Sequence, residues 1–438
     1  MVQNFQSWGR YPQVSQNFYK PIWLPSDLAT YGSDLLLAYG QGRSYGDVAL
    51  NGDNSIIVTT SLNRFISFNN ETGLLRCEAG VTLADILRFA VPRGWFLPVT
   101  PGTKFVSVGG AIANDVHGKN HHKAGCFGNY VPRFSLLRSD GKKECSETEN
   151  SDLYAATIGG IGLTGLILDA DIQLKKIESS YIDMEGIQFS GLEEYHALSN
   201  ESDKDYDYTV AWIDCITSGD KFARGVYMRG NHCSDPKYGK KTHRDPFLNV
   251  PFIFPEWCVN RYSMKLINTL YYHKQIHKKV KAIQHYEPFF YPLDMVNNWN
   301  RGYGKRGLLQ FQCVIPSDAA EGVLKEMLYK IVDNGSASFL SVIKDFGDMK
   351  SPGMLSFPRK GTTLCMDFPF RGDSSFKLFK TLEDMTVEAG GALYPAKDAC
   401  MAGESFKKFY PRWKEFSKFI DPRFSSSFWR RVIGENHA

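Results

Sequence analysis

The 438-residue chain has no run of about eighteen uncharged apolar residues, which leaves no segment able to cross a bilayer as a helix. Its first residues offer neither a basic n-region nor an apolar h-region, so no export signal is expected. Cysteine occurs nine times, at 77, 126, 145, 215, 233, 258, 313, 365 and 400. The odd count and the lack of any Cys-x-x-Cys pair argue against a disulfide framework and suit reduced thiols in the cytoplasm. Net charge is small, at +4, and no arginine-rich tail occurs, so no nucleic-acid partner is expected. There is no Gly-Lys-Ser or Gly-Lys-Thr of a phosphate-binding P-loop, no His-Glu-x-x-His, no internal repeat and no low-complexity segment. With 43% apolar residues, the chain has enough material to bury a core and to divide into two or three domains.

Glycine is concentrated in two places. Between residues 98 and 131, Gly102, Gly109, Gly110, Gly118, Gly125 and Gly128 thin out a stretch that also carries His117, Lys119, His121 and His122. Backbone that must approach a phosphate or a planar ring cannot carry side chains, so this pattern points to a buried cofactor site. Upstream, an apolar strand over 35–39 runs into Gly40-Gln41-Gly42-Arg43-Ser44-Tyr45-Gly46-Asp47. Successive N–H groups in such a turn form an anion nest to which Arg43 and Ser44 add donors, although a tight turn with no ligand has the same signature. The extended segment 55–60 that follows argues against a Gly-x-Gly-x-x-Gly dinucleotide fold. His117, His121 and His122 with Cys126 could be read as metal ligands, but the glycines disfavour the regular helix this needs, and no metal is expected.

Periodicity predicts strands at 55–59 and 74–78, a helix over 82–90, a hairpin around Asp140-Gly141 and a long strand over 165–175. Beyond residue 181 it predicts strands at 208–214, 223–229, 308–314, 338–345 and 363–367, with helices over 317–333 and 374–389. A last helix is expected over 404–420. The fold class is α+β, with domains expected at 1–180 and 181–391 and a segment 392–438 returning to the first. Between 236 and 281, ten Lys or Arg face only Asp245 and Glu256, a local +8 that leaves the rest of the chain at −4. Phe247, Phe252, Phe254, Trp257, Tyr262, Leu266 and Leu270 are interleaved with them. Such a run describes a surface that lies on anionic lipid, or equally a solvated insertion whose aromatics pack on the second domain.

The first glycine turn, the Val-Gly-Gly-Ala-Ile-Ala and His-Gly-Lys-Asn-His-His blocks, and Gly159-Gly-Ile-Gly-Leu-Thr-Gly165 together resemble the FAD domain of the vanillyl-alcohol-oxidase (p-cresol methylhydroxylase, PCMH-type) superfamily. Tyr291-Pro-Leu-Asp-Met295, Lys344-Asp-Phe-Gly347, Cys365-Met-Asp-Phe-Pro369 and Tyr394-Pro-Ala-Lys397-Asp398 extend the likeness to its polyprenylphosphoryl-ribose 2′-oxidase branch. The resemblance implies a two-part PCMH-type FAD-binding domain plus an α/β substrate-binding lid with an antiparallel sheet. It implies FAD held by Gly40, Gln41, Gly42, Arg43, Ser44, Tyr45, Gly102, Thr103, Gly109, Gly110, Asn114, Val116, His117, Gly118, His122, Ala124, Gly125, Gly162, Gly165, Ile167 and Tyr394. Arg43 stands where many relatives have a flavin-linked histidine, so the FAD is expected to be non-covalent. Lys119, Trp212, Tyr303, Gln310, Gln312, Lys344, Phe346 and Cys365 are expected to line the sugar site, with Lys397, His117 and Tyr45 catalytic. Thr363 replaces the family's usual Asn.

The implied reaction is oxidation of the 2′-hydroxyl of a polyprenylphosphoryl-β-D-ribose to a ketone, the first half of an epimerisation to arabinose. A partner NAD(P)H-dependent short-chain reductase would complete it. The expected location is cytoplasmic, with peripheral contact at the inner membrane face. Alternatives are oxidation of a free sugar, alditol or aldonolactone, and a flavin-binding scaffold without turnover. Independently of the likeness, alcohol oxidation needs a base or cation at the hydroxyl, and cationic neighbours are expected to lower the pKa of Lys397 for that role.

Overall fold

The computed structural model describes residues 5–434 apart from 247, 337 and 339, so Phe247 lies outside the described residues. It is α+β, built from sheets that are mostly antiparallel. Near the N-terminus a three-stranded parallel sheet has Ser55–Val58 between Asn17–Tyr19 and Leu36–Tyr39. Beside it, a five-stranded antiparallel sheet runs in the order Phe65–Phe68, Leu74–Glu78, Leu166–Gln173, Arg133–Arg138, Gly141–Ser146. Helix Leu83–Ala90 starts at Thr82, whose hydroxyl accepts the Asp85 N–H while the Asp85 carboxylate accepts that of Thr82. This reciprocal cap is encoded by the Thr-x-x-Asp spacing, and the helix then buries Leu83, Ile86 and Leu87.

Residues 181–393 form an eight-stranded antiparallel sheet. Its order is Lys279–His285, Tyr181–Phe189, Gly225–His232, Tyr208–Ile213, Ser341–Phe346, Gly361–Pro369, Leu308–Ile315, Ala392–Leu393. The strand Tyr181–Phe189 and the helix Leu192–Ser202 carry no signal strong enough to have been predicted. Period-2 geometry sorts Leu308–Ile315 into two faces: Phe311 meets Phe379 of helix Asp373–Glu388, and Gln310 and Gln312 point the other way.

The helix expected over 404–420 is instead broken into Gly403–Phe409 and Trp413–Phe416, because Pro411 cannot donate within a helix. Beyond it, Phe424 bridges Leu36, and helix Ser427–Ile433 sends Arg431 to Asp47 at 2.8 Å and to Asp398 at 2.9 Å. Among the described residues no helix is long and apolar enough to cross a membrane.

Candidate active site

A cavity of about 310 Å³ opens between the two sets of sheets. One wall is the glycine-rich backbone from the first half of the chain, and the other is the polar face of the eight-stranded sheet. Strand Leu36–Tyr39, its Leu36 and Leu37 fully buried, delivers the first glycine turn to this place. Two glycines there are required by close approach. A Cβ on Gly40 would collide with Ser107 of the second glycine block, and one on Gly46 would collide with the Asp398 carbonyl. Register does the rest, because Gln310 lies opposite Asp367, Gln312 opposite Cys365, and Lys344 opposite Thr363.

Of the cofactor residues expected from sequence, Gly40, Gln41, Gly42, Arg43, Ser44, Tyr45, Gly102, Thr103, Gly109, Gly110, Asn114, Val116, His117, Gly118, Gly162, Gly165, Ile167 and Tyr394 line the cavity. So do Lys119, Gln310, Gln312, Lys344, Cys365 and Lys397. His122, Ala124 and Gly125 do not. They belong to the short helix His121–Ala124 and its cap, where His122 Nε2 meets the Tyr206 carbonyl at 2.9 Å and a Cβ on Gly125 would lie 2.8 Å from Met349 sulfur. Trp212, Tyr303 and Phe346 also stand outside the wall. Trp212 packs on Tyr271, Tyr303 lies behind Trp299, and Phe346 backs His117 with ring centroids 4.8 Å apart. Sequence reasoning missed Asp294, Trp299, Leu340 and Val342, which do line the cavity. Asp294 and Trp299 had a signal, since 291–295 and 299–304 are both segments that resemble the family.

The donors on the glycine-rich side match a flavin dinucleotide. The N–H groups of Gln41, Gly42, Arg43 and Ser44 donate to no acceptor among the described residues. The buried Arg43 Nε also lacks a partner, while its guanidinium lies 4.1 Å above Trp8. Free N–H groups beside a half-buried guanidinium offer the donors that a diphosphate needs. The backbone at Gly102 faces open space, where a Cβ would meet no protein atom.

Three half-buried lysines face the cavity, Lys344 from the eight-stranded sheet, Lys119 from the second glycine block and Lys397 from the 394–398 turn. Burial and then the charge of Lys119 push Lys344 down to about 7, and burial alone pushes Lys119 to about 8. The Lys397 amine is also lowered, but by burial, whereas Cys365 and Asp367 act to raise it. The expectation that cationic neighbours lower it is therefore corrected: desolvation does so. His117, pushed well down by burial and by Lys344, is neutral. Gln312 Nε2 approaches its Nε2 at 3.0 Å, and Lys344 Nζ approaches its Nδ1 at 2.8 Å while donating to the Gly118 carbonyl at 2.8 Å. With Nε2 accepting from Gln312, the ring proton lies on Nδ1 and is given to an uncharged Lys344. Thr363 Oγ1 accepts the other Gln312 N–H at 3.2 Å.

Residues 29–146 match the family model described as an FAD binding domain. The chain is 38% identical to decaprenylphosphoryl-β-D-ribose oxidase of Mycolicibacterium smegmatis, over 92% of this chain and 90% of that protein. L-gulonolactone oxidase of Mus musculus is 28% identical over 39% of this chain and 40% of its own length. Delta(24)-sterol reductase of Homo sapiens is 26% identical over 35% of this chain.

Proposed function

Since the chain belongs to the FAD-dependent oxidase family that includes decaprenylphosphoryl-β-D-ribose oxidase, we propose that it oxidises the 2′-hydroxyl of a polyprenylphosphoryl-β-D-ribose to the 2′-ketone. The observation that carries this reading is the set of half-buried lysines, Lys119, Lys344 and Lys397, that face one cavity without a carboxylate within ion-pair distance among the described residues. The cofactor domain is 1–180, the sheet of 181–391 is the substrate lid, and 392–438 returns to the first.

The glycine-rich wall would hold FAD, with the 41–44 N–H groups and Arg43 as donors to its diphosphate, and without a covalent bond because Arg43 stands where the linking histidine would be. When bound, it supplies the hydride acceptor. Lys397, its amine kept available by burial, takes the hydroxyl proton as the C–H bond breaks. Gln310, Gln312 and Lys119 fix the sugar, while His117 stays neutral against Lys344 and adds no competing charge. The Cys365 thiol, pushed up to about 12 by burial, stays protonated. The ketone passes to an NAD(P)H-dependent short-chain reductase, which completes the conversion to arabinose.

Peripheral contact with the cytoplasmic membrane face is part of this reading. Helix Arg261–His273 buries Met264 and Asn268 and turns Tyr262, Leu266 and Leu270 outward at 85%, 61% and 63% exposure, with Lys265 and Lys274 beside them. Mixing the yellow protein with a polyprenylphosphoryl ribose and with free sugars or aldonolactones tests the proposal. Bleaching by the lipid alone supports it; bleaching by free sugars alone, or by neither, refutes it.

A further inference from the structure

Behind the cavity wall lies a carboxylate that the reaction above does not use. Asp367, with no exposed surface, sits opposite Gln310 in the sheet register. Its Oδ1 accepts from Gln310 Nε2, and its N–H goes to Ser338 Oγ and the Leu340 carbonyl at 3.2 Å each. Two buried acceptors have no donor among the described residues: Asp367 Oδ2, and Gln310 Oε1 on a residue that lines the cavity. An amide held at its nitrogen end by a carboxylate has one orientation, with its carbonyl at the other end. A buried carbonyl without a donor carries a desolvation cost that a ligand hydroxyl would remove.

We propose that Asp367 is a positioning residue: it fixes the Gln310 amide so that Oε1 accepts a hydroxyl of the substrate, and its charge is the buried counter-charge to Lys397. The inference rests on the alcohol-oxidation reading above. The groups facing Asp367 are Gln310 from the neighbouring strand, Lys397 from the 394–398 turn, Tyr45 from the first glycine turn, Tyr303, and Cys365 on its own strand. Lys397 in turn faces Tyr45, Cys365, Lys344 and His117. Among the groups named here Asp367 is the one that becomes negative near neutral pH: burial pushes it up to about 7 against the Gln310 N–H and Lys397, so its charge is partial at pH 7 and complete above it, whereas burial keeps the tyrosines and Cys365 protonated. Removing that charge lets the Lys397 pKa fall further, because an opposite charge favours the protonated amine.

The test uses the FAD-loaded full chain, with flavin absorbance as the check on folding. In Asp367→Asn, the KM for polyprenylphosphoryl ribose is expected to rise at least about tenfold, as for loss of a charge-assisted contact. The acid limb of the flavin-reduction rate should move about one pH unit lower. Gln310→Met, which removes the donor that stabilises the Asp367 charge, should move both in the same direction and serves if the first variant does not bind FAD. Unchanged KM and an unmoved acid limb in a yellow variant would overturn the proposal. A parent protein that the lipid substrate fails to bleach would instead overturn the reading on which it rests.

Discussion

Replacing Lys397 by alanine separates chemistry from architecture, because the turn that carries this residue does not depend on its side chain. The Lys397 N–H donates to the Tyr394 carbonyl at 3.0 Å, and the Asp398 carboxylate caps the N–H groups of Cys400 and Met401 at 3.0 and 2.9 Å and accepts from Arg431. The side chain itself contributes an amine lying 4.2 Å above the Tyr45 ring. Lys397→Ala should therefore keep its FAD content and its fold. A positioned general base is worth about 10²–10⁴ in rate, so flavin reduction should slow roughly a thousandfold, a barrier increase of about 4 kcal/mol. Anaerobic stopped-flow mixing with polyprenylphosphoryl ribose reads this directly. In the parent the rate falls as acid protonates the amine, and the variant should lack that limb. A yellow Lys397→Ala protein that bleaches as fast as the parent would refute the assignment.

Lys344→Met should raise the Tm of the flavin-free protein at neutral pH. The folded pKa of Lys344 is depressed to about 7 from 10.5, so the parent loses stability as pH falls between those values. The gain should be ~2–4 kcal/mol at pH 7 after lost hydrogen bonds and should fade as pH approaches the unfolded value. Arg431→Met strands Asp47 and Asp398, both buried, and should cost about 3 kcal/mol in urea unfolding; an unchanged midpoint would show that the triad is not stabilising. Gly102→Ala meets no protein atom, so the Tm of the flavin-free protein should hold while FAD binding weakens about tenfold by fluorescence titration. Lys265→Glu with Lys274→Glu should reduce sedimentation with anionic vesicles at low salt, and pelleting equal to the parent's would remove the membrane contact. Lys278 and Lys279 are poorer probes because Glu194 and Glu185 already pair with them.

The glycine-rich wall of the cavity was legible because glycine is costly in regular structure and its clustering announces backbone contact with something else. Strands such as Leu308–Ile315 and Gly361–Pro369 were legible within a residue or two from apolar continuity. Depth was not. Trp212, Tyr303 and Phe346 belong to the same segments as cavity residues, yet strand pleat and ring packing place them one layer back, and spacing cannot separate a wall from its support. His122, Ala124 and Gly125 sat inside the most informative block but turn toward Tyr206 and Met349, contacts of long sequence separation. The cause of the Lys397 shift required knowing its burial. Asp367 was no more than one residue of the 365–369 block, and the register that sets it opposite Gln310 gives it a part.

The guanidinium of Arg431, linking Asp47 to Asp398, works as a clasp between distant parts of the chain. The chain around Lys397 is locked to the first glycine turn by a residue translated almost four hundred positions after that turn. Arg431 itself stays clear of the cavity, so losing this clasp would loosen one wall against the other without altering any side chain that lines it.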